Sequence, residues 1–108
     1  MNTSTQTAHD LVASLTKQSI SDEITVIVSP PFVYLQQIQT QLNSSTIKVA
    51  AQNMYYEQNG AFTGEVSAEM LTDINCQYVI FTATGGKWYD NSKNGDKLVA
   101  YKLDNCNA

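Results

Sequence analysis

The sequence predicts a parallel α/β domain, on three observations. Short runs rich in β-branched residues, "EITVIVS", "IKVAA" and "QYVIF", carry no polar alternation. Strands covered on both faces read this way. Stretches with apolar residues at helical spacing stand before and between them. The resulting order, α-β-α-β-α-β, leaves connections long enough for right-handed crossovers. Spacing alone does not separate an open doubly wound sheet from a barrel.

Each element has its own signal. Ala8, Leu11, Val12 and Leu15 share one helical face, and Thr3 with Gln6 reads as a capping box. The first helix is therefore expected from about Ser4 to Gln18. Ile24 to Val28 is the first strand. "SPPFVYLQQIQTQLNSS" gives the second helix, with Ser29 as its cap, the prolines at its first turn, and Phe32, Leu35, Ile38 and Leu42 inward. The second strand is Ile47 to Ala51. Ser67 caps the third helix, which points Met70, Leu71 and Ile74 inward. Asn75 follows at a position that wants a left-handed residue. "QYVIF" is the third strand. After it, "TATGGKWYDNSKNG" is rich in turn formers. "DKLVAYKL" fits two shapes, a fourth helix or the second arm of a hairpin across Asn94-Gly95.

Composition narrows the function classes. The chain has 108 residues, 43% hydrophobic and 15% charged, enough for one domain or part of one. Six lysines and no arginine face ten acidic residues, for a net charge of -4. That balance argues against nucleic acid or an anionic membrane as the main partner. No apolar run approaches the ~18 residues of a membrane span. "MNTSTQTAHD" is polar and lacks the apolar centre of a signal peptide, so a cytoplasmic location is expected, with Cys76 and Cys106 reduced. The two cysteines have no metal-ligand spacing, and neither a metal nor a cofactor is expected.

The candidate site is "QNMYYEQNGAFTGE", Gln52 to Glu65. Strand-to-helix loops are commonly about 2–6 residues, and this one is at least twice that. It carries Tyr55, Tyr56, Phe62, Gly60 and Gly64, and follows neither a strand nor a helix period. Composition leaves two readings open: a loop packed on itself, or a surface with aromatic anchors for a partner. Other features offer less. His9 sits beside the apolar stripe of the first helix, a surface position. "TATGGK" lacks the phosphate-loop spacing. Trp88 and Tyr89 read as cover for apolar core. Glu65 and Glu69 do not form an acid–base pair.

From "VSPPFVYL" through "IKVAAQNMYYEQNGAFTGEVSAEMLTDINCQYVI", about Ile24 to Ile80, the chain resembles triosephosphate isomerase. "AAQN" followed by "GAFTGEVSAEML" carries most of the likeness. The resemblance implies a partial (β/α)8 TIM barrel with parallel strands, running from the first helix to the fourth βα unit. It divides the single domain of residues 1–108 into a family-like part, 1–81, and a divergent tail, 82–108. Met1-Asn2 looks like the end of the family motif Asn-Trp-Lys-Met-Asn, which places the family's first strand and substrate-binding Lys before Met1. "LVAYKL" looks like the family's fourth helix. Counting back, "FTATGGK" falls on the family's "LGHSERR", so the catalytic His reads Ala83, the Ser Thr84 and the Glu Gly85.

The activity implied is interconversion of dihydroxyacetone phosphate and glyceraldehyde 3-phosphate, with triose phosphate as substrate only in a complete family member. The isolated chain is expected to be inactive, since the family's Lys, His and base Glu are not among its residues. In this family the third βα loop reaches into the neighbouring subunit of a dimer. Carried over, Gln52 and Asn53 begin that loop. Phe62, Thr63 and Gly64 form its tip and return, and Glu65 leads into the helix, while Tyr55, Tyr56 and Phe62 offer aromatic anchors for a partner pocket. A homo-oligomer or a pairing with another barrel fragment is expected. The alternative is a non-catalytic interaction module that uses this loop and its open sheet edges.

Overall fold

A computed structural model describes residues 2–81 and 99–103. Helix α1 spans Thr5–Thr16. Its capping box is one residue later than the sequence suggests. The Ser4 hydroxyl accepts from the Thr7 N–H at 3.2 Å, and the Thr7 hydroxyl accepts from the Ser4 N–H at 2.8 Å. Gln6 bonds Asp10 one turn on instead. Ala8 and Val12 are buried and Leu15 packs at their edge, but Leu11, expected inward, is 63% exposed.

Strand β1 is only Ile27–Val28, shorter than the run from Ile24. The Ile24 N–H donates to the Ser21 carbonyl, so a turn takes up the first residues of that run and leaves Ile24 outside the ladder. Helix α2, Phe32–Gln41, starts behind Pro31 with no side-chain cap. Ser29 does not cap it; its hydroxyl is buried without a partner. Leu35, Ile38 and Leu42 are buried as expected, while Phe32 stays partly exposed. Strand β2 is Lys48–Ala51. Helix α3, Ala68–Asp73, is capped by Ser67, whose hydroxyl accepts from the Met70 N–H at 3.2 Å. Leu71 is buried and Ile74 packs against the core, but Met70 faces out. Asn75 takes φ 63°, the left-handed turn its position called for.

Strands β3, Tyr78–Phe81, and β4, Val99–Lys102, complete a sheet of order β1-β2-β3-β4. The first three are parallel, with Ile27 opposite Lys48 and Ala50 opposite Tyr78. This is the α/β arrangement of a partial barrel. The fourth strand runs the other way, Tyr78 opposite Lys102 and Phe81 opposite Val99. Val99–Lys102 is therefore an antiparallel strand beside β3, not the helix that the resemblance implied there. An antiparallel neighbour needs only a reversal of the chain, whereas a parallel one needs a full crossover. The reversal itself, including Asn94-Gly95, lies outside the described residues.

Packing joins both ends of the described chain. Leu35, Ile38, Leu71, Cys76, Val79 and Leu103 are each at most 2% exposed and belong to one core cluster. Helices α1 and α2 are also tied by polar bonds onto the backbone of the N-terminal segment. Tyr34 donates to the Thr3 carbonyl, Gln37 to Thr5 and Gln41 to His9, at 3.0–3.2 Å.

Candidate functional site

The long loop leaves β2 at Gln52, at the C-terminal end of the strand. The Gln52 amide donates to the Ser29 carbonyl at 2.9 Å, tying the loop's start to the end of β1. Asn53 is exposed, and Met54 turns back into the core at 3% exposure. The Tyr55 N–H then donates to the Val66 carbonyl at 2.7 Å, beside a parallel bridge between Tyr55 and Ser67. The loop is thus pinched shut at its base, and everything from Tyr56 to Glu65 is an excursion from that clamp.

Within the excursion the aromatics meet. The Tyr55 ring lies 4.7 Å from Tyr56 and 4.7 Å from Phe62, tilted by 33° and 44°. These distances fall in the favourable range for aromatic pairs. Gly60 makes the cluster possible. At φ 139° its backbone is closed to other residues, and a Cβ there would stand 2.5 Å from the Phe62 ring. The return is a tight turn, closed by the Glu65 N–H on the Phe62 carbonyl at 3.0 Å. Gly64 takes φ 88° at the third position of this turn, where a type II turn needs a positive φ. Thr63 and Glu65 are exposed.

The cluster is packed on itself and also displayed. Tyr55 is half-buried, whereas Tyr56 is 53% exposed and Phe62 39%. Met70, also exposed, helps line a hollow of about 150 Å³ between the loop and α3. The Tyr55 hydroxyl is held above its ordinary value of 10.0, first by its hydrogen bond with Tyr56, then by desolvation, then by the Tyr56, Glu57 and Glu65 charges. A phenol so held stays neutral at physiological pH. The loop therefore offers two aromatic faces, a neutral Tyr55 hydroxyl and a rim of carboxylates. That suits contact with another surface and holds no nucleophile or acid–base pair.

The other candidates do not gather here. His9 is exposed on α1, where its carbonyl, not its ring, is engaged by Gln41. Among the described residues no cluster of three His, Cys, Asp or Glu is placed to hold a metal, and no helix is long and apolar enough to cross a membrane. Cys76 is buried, and burial raises its thiol above the usual range. Ala83, the "TATGGK" stretch, Trp88, Tyr89 and Cys106 lie outside the described residues. Sequence reading missed the anchor Met54 and the clamp partner Val66. Both follow polar or glycine-rich residues with no period to mark them.

Comparison with known proteins bears on the whole chain. A family model described as triosephosphate isomerase matches residues 1–83. The triosephosphate isomerase of Alkaliphilus oremlandii is 41% identical over 103 residues, covering 95% of this chain and 41% of that protein. The chloroplastic triosephosphate isomerase of Secale cereale is 46% identical over 70 residues, covering 65% of this chain and 23% of that protein. The chain thus spans less than half the length of either relative.

Proposed function

We propose a function from a single premise: this chain belongs to the triosephosphate isomerase family. Its part in that chemistry is the subunit contact made by the loop Gln52–Glu65, and these 108 residues do not turn over triose phosphate by themselves. The observation that supports the contact is the clamped, displayed aromatic cluster. Tyr56 and Phe62 each pack against the Tyr55 ring and still present exposed faces. Rigid aromatic anchors lose little entropy when a partner covers them. The partner that fits is a second copy of the chain or another barrel fragment of the same family. The substrate of a complete family member would be dihydroxyacetone phosphate or glyceraldehyde 3-phosphate.

The absence of turnover rests on position 83. Where the resemblance puts the catalytic His, the chain has Ala83, whose methyl cannot donate a hydrogen bond to a developing oxyanion.

Two measurements test this reading. Light scattering on the purified chain at micromolar concentration should show a dimer or larger species. The double change Tyr56→Ser with Phe62→Ser should move it toward monomer with an unchanged circular dichroism spectrum. A wild-type chain that stays monomeric rejects the contact. In a coupled assay with glyceraldehyde 3-phosphate, the wild type should not exceed the buffer rate, and turnover well above buffer rejects the inactive assignment.

A further inference from the structure

The sheet adds β1, β2 and β3 side by side in chain order, all parallel. Continued growth in that order would lay the next strand against the far edge of β3. That edge is already taken. β4 lies along all four residues of β3, in the opposite direction. We propose that β4 is an edge cap, which occupies the free edge of β3 and keeps any further strand, from this chain or another, from pairing there.

The register shows how the cap is held. The Leu103 N–H donates to the Gln77 carbonyl at 2.9 Å, so Leu103 and Gln77 are a hydrogen-bonded pair. Such pairs alternate along an antiparallel ladder. With the observed register, Tyr101 with Val79 and Val99 with Phe81 are the next two hydrogen-bonded pairs. The amides of Val79 and Phe81 therefore point to β4, and those of Tyr78 and Ile80 point to β2. The end of the cap is pinned in the core. Leu103 is 1% exposed and belongs to the same cluster as Leu71, Cys76 and Val79. Lys102, beside it, is exposed on the strand that now forms the border. A charged side chain at such a border is a common guard against unwanted pairing.

A ladder bond plus a core anchor distinguishes a cap from a strand resting loosely on an edge. It also limits assembly: while β4 is in place, no partner strand extends the sheet through β3. The inference concerns the chain's own backbone and stands whether or not the loop makes a subunit contact.

Hydrogen exchange on the full wild-type chain tests it residue by residue. Val79 and Phe81 should be protected to the same degree as Tyr78 and Ile80. Tyr101→Pro removes the N–H of the central pair, so Val79 and Phe81 should exchange at least about tenfold faster while Tyr78 and Ile80 hold. Lys102→Pro, whose N–H points away from β3, should change Val79 and Phe81 far less. Three results overturn the cap: Val79 and Phe81 exchanging freely in the wild type, all four amides unprotected, or Tyr101→Pro leaving Val79 and Phe81 unchanged. Should Tyr101→Pro fail to fold, the wild-type pattern decides alone.

Discussion

At the scale of single residues, three positions combine local geometry with a measurable cost. Ser67 is buried, and its hydroxyl satisfies the first turn of α3. Ser67→Ala should lower stability by about 1 kcal/mol, read as a shift in the urea midpoint. Gly60 is constrained twice, by φ 139° and by the Phe62 ring. Gly60→Ala should destabilise by at least about 1 kcal/mol and disturb the Tyr and Phe signals of the loop in a near-ultraviolet spectrum. Cys76 is the third. Burial raises its thiol above the ordinary 9.0 in the folded chain. Above that pH the unfolded chain has lost a proton that the folded chain still holds, so unfolding gains from rising pH. The stability that this thiol contributes is therefore full below pH 9 and lost above it. Urea unfolding from pH 8 to 10 should show a steeper decline in the wild type than in Cys76→Ala. All three of the loop's aromatics could be named from the sequence. Their mutual stacking could not, because Tyr55 and Phe62 are seven positions apart and meet only through the turn that Gly60 permits.

Elements differ in how far their signals reached. Leu35, Ile38 and Leu42 share a face and are buried, so α2 was legible in its period. On α1 the same period marked Leu11, yet the neighbours of α1 cover only the side of Ala8 and Val12. Periodicity gives a face, and the packing partner decides how wide that face is. Polar bonds between elements were invisible in the sequence. Tyr34 reaches the Thr3 carbonyl across 31 positions. Tyr34→Phe should cost about 0.5–1.5 kcal/mol and speed exchange in the first turn of α1, without altering β2 or β3.

For the molecule as a whole, the tail decides the architecture. Leu103, five residues from the C-terminus of the chain, sits in the core with residues from α2, β2 and β3. Leu103→Ala should destabilise by about 2–5 kcal/mol, whereas a loosely attached tail would give nearly none. The sequence by itself determined the parallel order of the first three strands, the helices between them and the family. Those follow from local period, caps and a long specific motif. Only the tertiary structure decided the tail. "VAYK" is compatible with a helix or a strand, and the choice turned on the open edge of β3 with its unpaired amides. It also decided that the loop's rings stack on one another while two of them stay exposed. The first outcome depends on contacts between residues distant in the chain, and the second on a turn that brings together rings seven positions apart.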